Sequence, residues 1–362
     1  MYLKINHCDK FYGIRIFLKE DRETQLNKVF LESSGLLLLP ENISIPLSED
    51  EQVDIKELGD GSILELSPKG AYIYFNTDSF DNTLFITNRC NSSCIMCPTS
   101  ELMRKTSGVE PPEKLMAVLR AIPNRRNHIT ITGGEPFLLG EDIFQIFEFM
   151  KMRLNRLDYL LLTNGRAFAI EKYFKKFCES APSRLMVGIP IHGSNSKLHD
   201  AITRAEGSFE QTVLGIKRLL KADIKIELRI VVSKLNIDDI YHLSQFILEN
   251  FRGIYKVTFV GLEMLGSARK NMEDVWIDYR ESFDKIKNAI DNLIYHGVNV
   301  QLYNYPLCCV DSKYWSICQK SISVEKIVHT KQCEQCDVKD ACCGMFKGTY
   351  KLLEKSIKAV RC

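Results

Sequence analysis

The sequence predicts an α/β protein: a parallel sheet or incomplete barrel, with a small β-rich unit ahead of it and a cysteine-rich segment behind it. Three observations carry this reading. From residue 83 the chain alternates short β-branched or apolar runs with longer amphipathic stretches. Before that point, short alternating segments are separated by clusters of Pro, Asp, Gly and Asn. Near the other end, seven of the thirteen cysteines fall between residues 308 and 343.

The first region, residues 1–80, holds alternating segments at 11–17, 35–39 and 71–75, which read as strands of a β-rich unit. This unit suits either a structural cap or a binding surface for a substrate or leader. In residues 81–270 the candidate strands are 84–88, 128–132, 158–162, 185–191, 224–232 and 256–261. Helical stretches such as 141–154, 209–221 and 237–251 lie between them. Six strand–helix units are too few for an eight-stranded barrel. An incomplete barrel leaves a lateral opening wide enough for a peptide. Residues 271–362 begin with a helix predicted over 275–296, then a strand over 298–303, then the cysteine-rich segment.

Composition narrows the setting. A formal net charge of +2 gives no broad basic face, so nucleic acid is not expected as a partner. No apolar run reaches the roughly 20 residues that span a bilayer, and the N-terminal residues lack a secretory h-region. The expectation is a cytoplasmic protein with no membrane partner. Thirteen cysteines, an odd number without a secretory signal, suit a reducing compartment and thiols held for metal.

The densest chemistry is the run Cys90-Asn-Ser-Ser-Cys94-Ile-Met-Cys97, a C-x3-C-x2-C spacing. Three soft thiolates on one loop suit three irons of a [4Fe-4S] cube, leaving the fourth iron open. Zinc competes, but structural zinc takes four closed ligands and a lone triplet is one short. Downstream, the run 129–132 reads as a buried strand ending in Gly133, Gly134, Glu135 and Pro136. Its glycines permit close backbone approach and its proline stiffens the exit. Alone the four residues also make an ordinary turn. Both motifs lie at strand carboxyl ends, where barrel active sites are built.

In this order the two motifs resemble the radical S-adenosylmethionine (radical SAM) superfamily, over roughly residues 80 to 265. The resemblance implies a partial (β/α)6 barrel whose [4Fe-4S] cluster, held by Cys90, Cys94 and Cys97, binds SAM at its open iron. It also implies a 5′-deoxyadenosyl radical that abstracts hydrogen. Gly133, Gly134, Glu135 and Pro136 would then cradle the methionine half of SAM. Met96 stands where the family places an apolar residue near the adenine, or packs in the core. Asn164, in Thr163-Asn164-Gly165, would reach the ribose or form a turn. His192 would touch SAM or substrate or cap its loop; Pro190 replaces the family's serine there, so that contact is not transferred. Arg204 would pair with the SAM carboxylate or sit solvated at a helix end. Arg229, a charge inside an apolar strand, should face the barrel interior, with Glu263 as its candidate partner.

The stretch from Ser321 through Cys333-Glu-Gln-Cys336 to Cys342-Cys343-Gly344-Met345-Phe346 is similar to the tail of the HxsC-type maturases of the His-Xaa-Ser repeat peptide system. So is the run from Ile189 through His192 and His199-Asp200 to Gly207-Ser208-Phe209. This resemblance implies a twitch-like auxiliary domain in which Cys308, Cys333, Cys336 and Cys342 hold a second [4Fe-4S] cluster. Zinc is the alternative metal, and Cys309 or Cys343 the alternative ligand, because Cys343 stands where that family has glycine. Cys8, Cys178 and Cys362 read as plain thiols. The implied function is radical modification of a ribosomally synthesised peptide, such as a His-Xaa-Ser repeat precursor. The implied partners are that precursor peptide, an electron donor such as flavodoxin or ferredoxin, and a second maturase. The competing readings are Ser or Cys oxidation as in sulfatase maturation, RNA modification by a radical SAM enzyme, and a metal-stabilised peptide scaffold without catalysis.

Overall fold

The computed structural model describes residues 1–19 and 26–361; Cys362, read above as a plain thiol, lies outside the described residues. The chain divides into two compact units. One comprises Met1–Thr87, Val109–Leu161 and Glu179–Leu185; the other comprises Asn88–Gly108, Leu162–Cys178 and Met186–Cys362.

The first unit opens with a seven-stranded sheet: β1 (Tyr2–Leu3), β2 (Gly13–Leu18), β3 (Lys28–Leu31), β4 (Gly35–Leu39), β5 (Ile43–Pro46), β6 (Ser62–Ser67) and β7 (Gly70–Phe75). Its order is β1-β7-β6-β2-β3-β4-β5. Only β2 and β3 run parallel; every other pairing is antiparallel. Alternate residues Phe17, Val29, Leu36, Leu38, Leu64 and Leu66 enter one core with Ile55 of the helix Glu49–Lys56. That helix starts where a capping box places it: Ser48 accepts from the Glu51 amide, and Glu51 reaches back to the Ser48 amide at 2.8 Å. The sequence marked segments in β2, β4 and β7; the shorter β1, β3, β5 and the intervening β6 complete the sheet.

The same unit carries β8 (Thr83–Phe85), β9 (His128–Thr132) and β10 (Asp158–Leu162), parallel and in chain order. Helices Pro112–Ala121 and Asp142–Arg153 connect them. In β9 and β10 residues alternate between fully buried (Ile129, Ile131, Tyr159, Leu161) and half-buried, the period of a strand with one face packed.

The second unit continues with β11 (Leu185–Pro190), β12 (Lys225–Val232), β13 (Lys256–Gly261), β14 (Val300–Tyr303) and β15 (Cys318–Gln319). They pair parallel, again in chain order. Six parallel strand–helix repeats from β8 to β13 give the radical SAM-type α/β fold that the sequence predicts. The helix expected from residue 275 begins at Tyr279, because the Asp278 carboxylate accepts from the Arg280 amide at 2.9 Å and sets the N-terminus there. The last short pair, β16 (Ile327–Val328) with β17 (Met345–Phe346), is antiparallel. No helix among the described residues is long and apolar enough to cross a membrane.

All six residues of β13 are buried, and Phe259 at its centre is 0% exposed. Phe259→Ala should therefore cost about 3–5 kcal/mol of stability, read as a lowered urea midpoint for the reduced, metal-free chain.

Candidate functional site

The cysteine loop leaves β8 through Thr87, which forms an isolated antiparallel bridge with Val109 and so closes the base of the excursion 88–108. Thr87 also meets the strand end of β9. Its carbonyl accepts the Gly134 amide at 2.6 Å, and a Cβ on Gly133 would stand 2.4 Å from that same oxygen. Gly133 has φ of +157°. A side chain is excluded here by contact as well as by backbone conformation. Glu135 is 1% exposed, and its Oε1 accepts from the Phe137 amide at 3.2 Å, capping the tight turn Pro136–Leu139. Pro136 occupies the first position of that turn, where no N–H is needed.

Within the second unit, backbone bonds shape the loop that carries Cys90, Cys94 and Cys97. The Ser93 amide donates to Thr203 O at 2.9 Å and the Ile95 amide to Ile202 O at 3.0 Å. These carbonyls end the helix Ser196–Thr203 and have no partner of their own inside it. Beyond Cys94, the Cys97 amide turns back onto Cys94 O at 3.2 Å, and Cys97 O accepts from the Ser267 amide at 2.9 Å. Asn271 Nδ2 donates to Ile95 O at 3.0 Å. Near Cys90, Arg166 Nη1 donates to Asn91 O at 2.7 Å and to Ser92 Oγ at 3.1 Å. The three thiols are partly buried. Burial pushes Cys94 up to about 12, and the neighbouring sulfurs of Cys90 and Cys97 push it the same way. Three thiolates so close repel one another, which a bound cation or cluster relieves.

The remaining expected contacts fall in different places. Met96 is 4% exposed, packed with Ile202, Leu262, Met264, Ala268 and Val275, so its side chain fills core. Asn164 is turned to the cysteine loop: Nδ2 donates to Asn91 Oδ1 at 2.6 Å, and Oδ1 accepts from the Arg166 amide at 3.0 Å. His192 is 4% exposed, its amide donates to His199 Nδ1 at 3.2 Å, and its own buried Nδ1 meets no partner. Burial, with His199 adjacent, pulls His192 down to about 3; burial likewise pulls His199 down to about 4. The pair is neutral at ordinary pH. Arg204 is exposed and ends the helix Ser196–Thr203 at φ +51°. The arginine that reaches the cysteine loop is Arg166, directly after the Thr163-Asn164-Gly165 turn.

One pairing is corrected. Arg229 does not pair with Glu263. Its Nη1 meets Glu227 Oε1 at 3.2 Å, because residues two apart on β12 share a face. Glu227 is 0% exposed and also accepts from Thr258 Oγ1 at 2.7 Å. Glu263 instead faces Lys326 at 3.8 Å.

In the last part of the chain, Cys308, Cys333, Cys336 and Cys342 line one cavity, together with His329, Lys339 and Lys358. Cys309 and Cys343 are buried and are not among its lining residues; Cys343 packs with Ile322 and Phe346. The cavity's sulfurs already receive donors. Cys342 Sγ accepts from the Leu307 and Gly344 amides, each at 3.4 Å, and Cys336 Sγ accepts from the Val360 amide at 3.4 Å. A hydrogen bond with Cys343, then those amides, holds Cys342 down at about 6 despite burial. A hydrogen bond with Cys309 lowers Cys308 to about 7. Amide donors aimed at thiolate sulfur suit iron–sulfur ligation. Among the described residues no group of three or more His, Cys, Asp or Glu converges on a single metal ion. One zinc demands such convergence, with sulfurs about 2.3 Å from it. The thiolates of a four-iron cube bind separate irons and stand farther apart. Cys8 is buried and Cys178 exposed.

Comparison with known proteins follows this geometry. Residues 84–247 match the Radical SAM superfamily. The chain is 28% identical to an AdoMet-dependent heme synthase of Methanosarcina barkeri, over 48% of this chain and 49% of that protein. It is 25% identical to the GTP 3',8-cyclase of Lactiplantibacillus plantarum, over 77% and 89% respectively. It is 27% identical to the subtilosin biosynthesis protein AlbA of Bacillus subtilis, over 45% and 35%. The chain thus spans about half the length, or less, of the first and third of these relatives. The match to the Radical SAM superfamily model spans a little under half of the chain.

Proposed function

We propose that this protein modifies a ribosomally synthesised peptide by radical SAM chemistry, with a His-Xaa-Ser repeat precursor of the HxsC type as its substrate. The observation that carries the reading is the second thiol cavity, whose four cysteines match the tail resemblance to a peptide maturase. The similarity to AlbA, a bacteriocin biosynthesis protein, points the same way. Bound together, a [4Fe-4S] cluster and SAM supply a 5′-deoxyadenosyl radical on one-electron reduction.

The chain's own residues have distinct tasks in this reading. Cys90, Cys94 and Cys97 would hold the SAM-site cluster, and the bonds from the Ser93, Ile95 and Cys97 amides to their backbone partners fix the course of the loop that carries them. Gly133 and Gly134 leave the β9 strand end bare of side chains for the methionine half of SAM. Cys308, Cys333, Cys336 and Cys342 hold a second cluster, closed to substrate by its full set of thiolates. The working layout is residues 1–80 as the β-rich unit, 81–270 as the radical SAM core and 271–362 as the auxiliary domain. An electron donor of the flavodoxin or ferredoxin class and a second maturase complete the partner set. A reducing, cytoplasmic compartment suits thirteen cysteines held as thiols for metal.

A second reading, a nucleotide substrate, is favoured by the match across most of the GTP 3',8-cyclase. The two separate by experiment. Reduced protein with SAM should release 5′-deoxyadenosine faster with a His-Xaa-Ser repeat peptide, and that peptide should change mass. Stimulation by GTP alone, with an unchanged peptide, favours the second reading.

Anaerobic reconstitution should give about eight irons per chain. Cys342→Ala should lower this to about four while SAM cleavage persists, whereas Cys94→Ala should abolish 5′-deoxyadenosine release. About four irons with zinc bound would assign the tail to zinc. Gly133→Ala should keep the iron count but weaken SAM binding at least tenfold by equilibrium dialysis, because the added methyl group displaces Thr87 and with it the strand end.

A further inference from the structure

Arg104 is a buried cation that forms no salt bridge among the described residues; the carboxylate in its field is that of Glu101, which Lys105 pairs. Arg104 is 8% exposed, in the short helix Glu101–Thr106 that follows the cysteine loop. Nη1 donates to Thr99 O, and Nη2 to Ser267 Oγ at 3.3 Å. Its Nε–H is buried and meets no partner. Both acceptors are neutral. Ser267 is also the residue whose amide holds Cys97 O at 2.9 Å, so Arg104 and Cys97 are tied to the same backbone turn.

A buried guanidinium with an unpartnered Nε–H and no paired carboxylate is costly. A bound cluster with three thiolate ligands would bring net negative charge to the loop that shares Ser267 with Arg104. We propose that Arg104 is a positioning residue for the SAM-site cluster: its charge, fixed by Thr99 and Ser267 beneath the Cys97 turn, offsets the thiolate charge and raises the cluster's reduction potential. The inference rests on the cluster assignment proposed above. Reduction adds one electron to the cluster at the expense of a low-potential donor of the flavodoxin or ferredoxin class. A fixed cation stabilises the more negative, reduced form, because net charge and hydrogen bonds to sulfur set such potentials. Arg104 touches no substrate in this account and acts only through the cluster.

The test compares reconstituted full-length wild type with Arg104→Met and Arg104→Lys. Iron per chain is counted, and midpoint potential is followed by electron paramagnetic resonance on the signal that changes when SAM is added. The expected result is unchanged iron with a lower midpoint in Arg104→Met and a smaller shift in Arg104→Lys. Should Arg104→Met be insoluble, Arg104→Gln removes the charge while keeping a donor for Thr99, and the same downward shift is expected. Midpoints equal to wild type in the charge-removing and Lys variants overturn the inference and leave the cluster assignment standing. Iron loss in Arg104→Lys without any change in midpoint also overturns it, since that marks a purely structural role. A wild type with no SAM-responsive signal overturns the cluster assignment itself, and the inference with it.

Discussion

The bond from the Gly134 amide to the Thr87 carbonyl is the constraint on which the geometry of the β9 strand end depends. Thr87 is the last residue before the cysteine loop, and Gly134 is the residue where β9 gives way to its turn. One short hydrogen bond therefore fixes the starting point of the loop against the strand end that follows it by more than thirty positions in sequence. The approach is so close that residue 133 has no room for a methyl group. The glycine pair serves first as a packing device, and its bare surface follows from that.

The loop itself is irregular, and irregular backbone needs partners for its polar groups. It takes them from structure already in place: the last carbonyls of the helix Ser196–Thr203, the amides of Ser267 and Ala268, and the side chains of Asn271 and Arg166. Each partner comes from a segment at the carboxyl end of a strand, β10, β11 or β13. The loop is a meeting point for those segments, which is why its three sulfurs keep their places without secondary structure of their own.

This division explains what was legible in the sequence. The strands were readable because their signals are local: β-branched runs in β9 and β12, and a Val-Thr-Phe-Val run in β13. The cysteine spacing and the Gly-Gly-Glu-Pro run were readable for the same reason. Arg166, Asn271 and Ser267 were not, because each acts on a loop that is distant in sequence; Arg104 was not because its partner Ser267 is distant, and an isolated polar residue carries no mark of a tertiary partner. Arg166 came nearest to being found, since it follows Asn164 at a strand end. The pairing of Arg229 with Glu263 failed for a different reason. The two-residue period of a strand already put Glu227 on the same face as Arg229, and the apolar residues around it drew attention away from that carboxylate. Among the tail thiols, burial separates Cys309 and Cys343 from the four that line the cavity, a distinction that adjacency in sequence hides.

One apolar cluster of the tail is small: Ile322, Cys343 and Phe346, with Ile327 against it. The cavity thiols come from three separate stretches, and the Val360 amide closes onto Cys336 from near the end of the chain. With the proposed ligand set, folding of this segment and metal uptake become one event. The lifetime of the protein then follows the iron supply of the cell, since a chain made during iron starvation offers its final fifty or so residues to proteases as a loose strand of polypeptide.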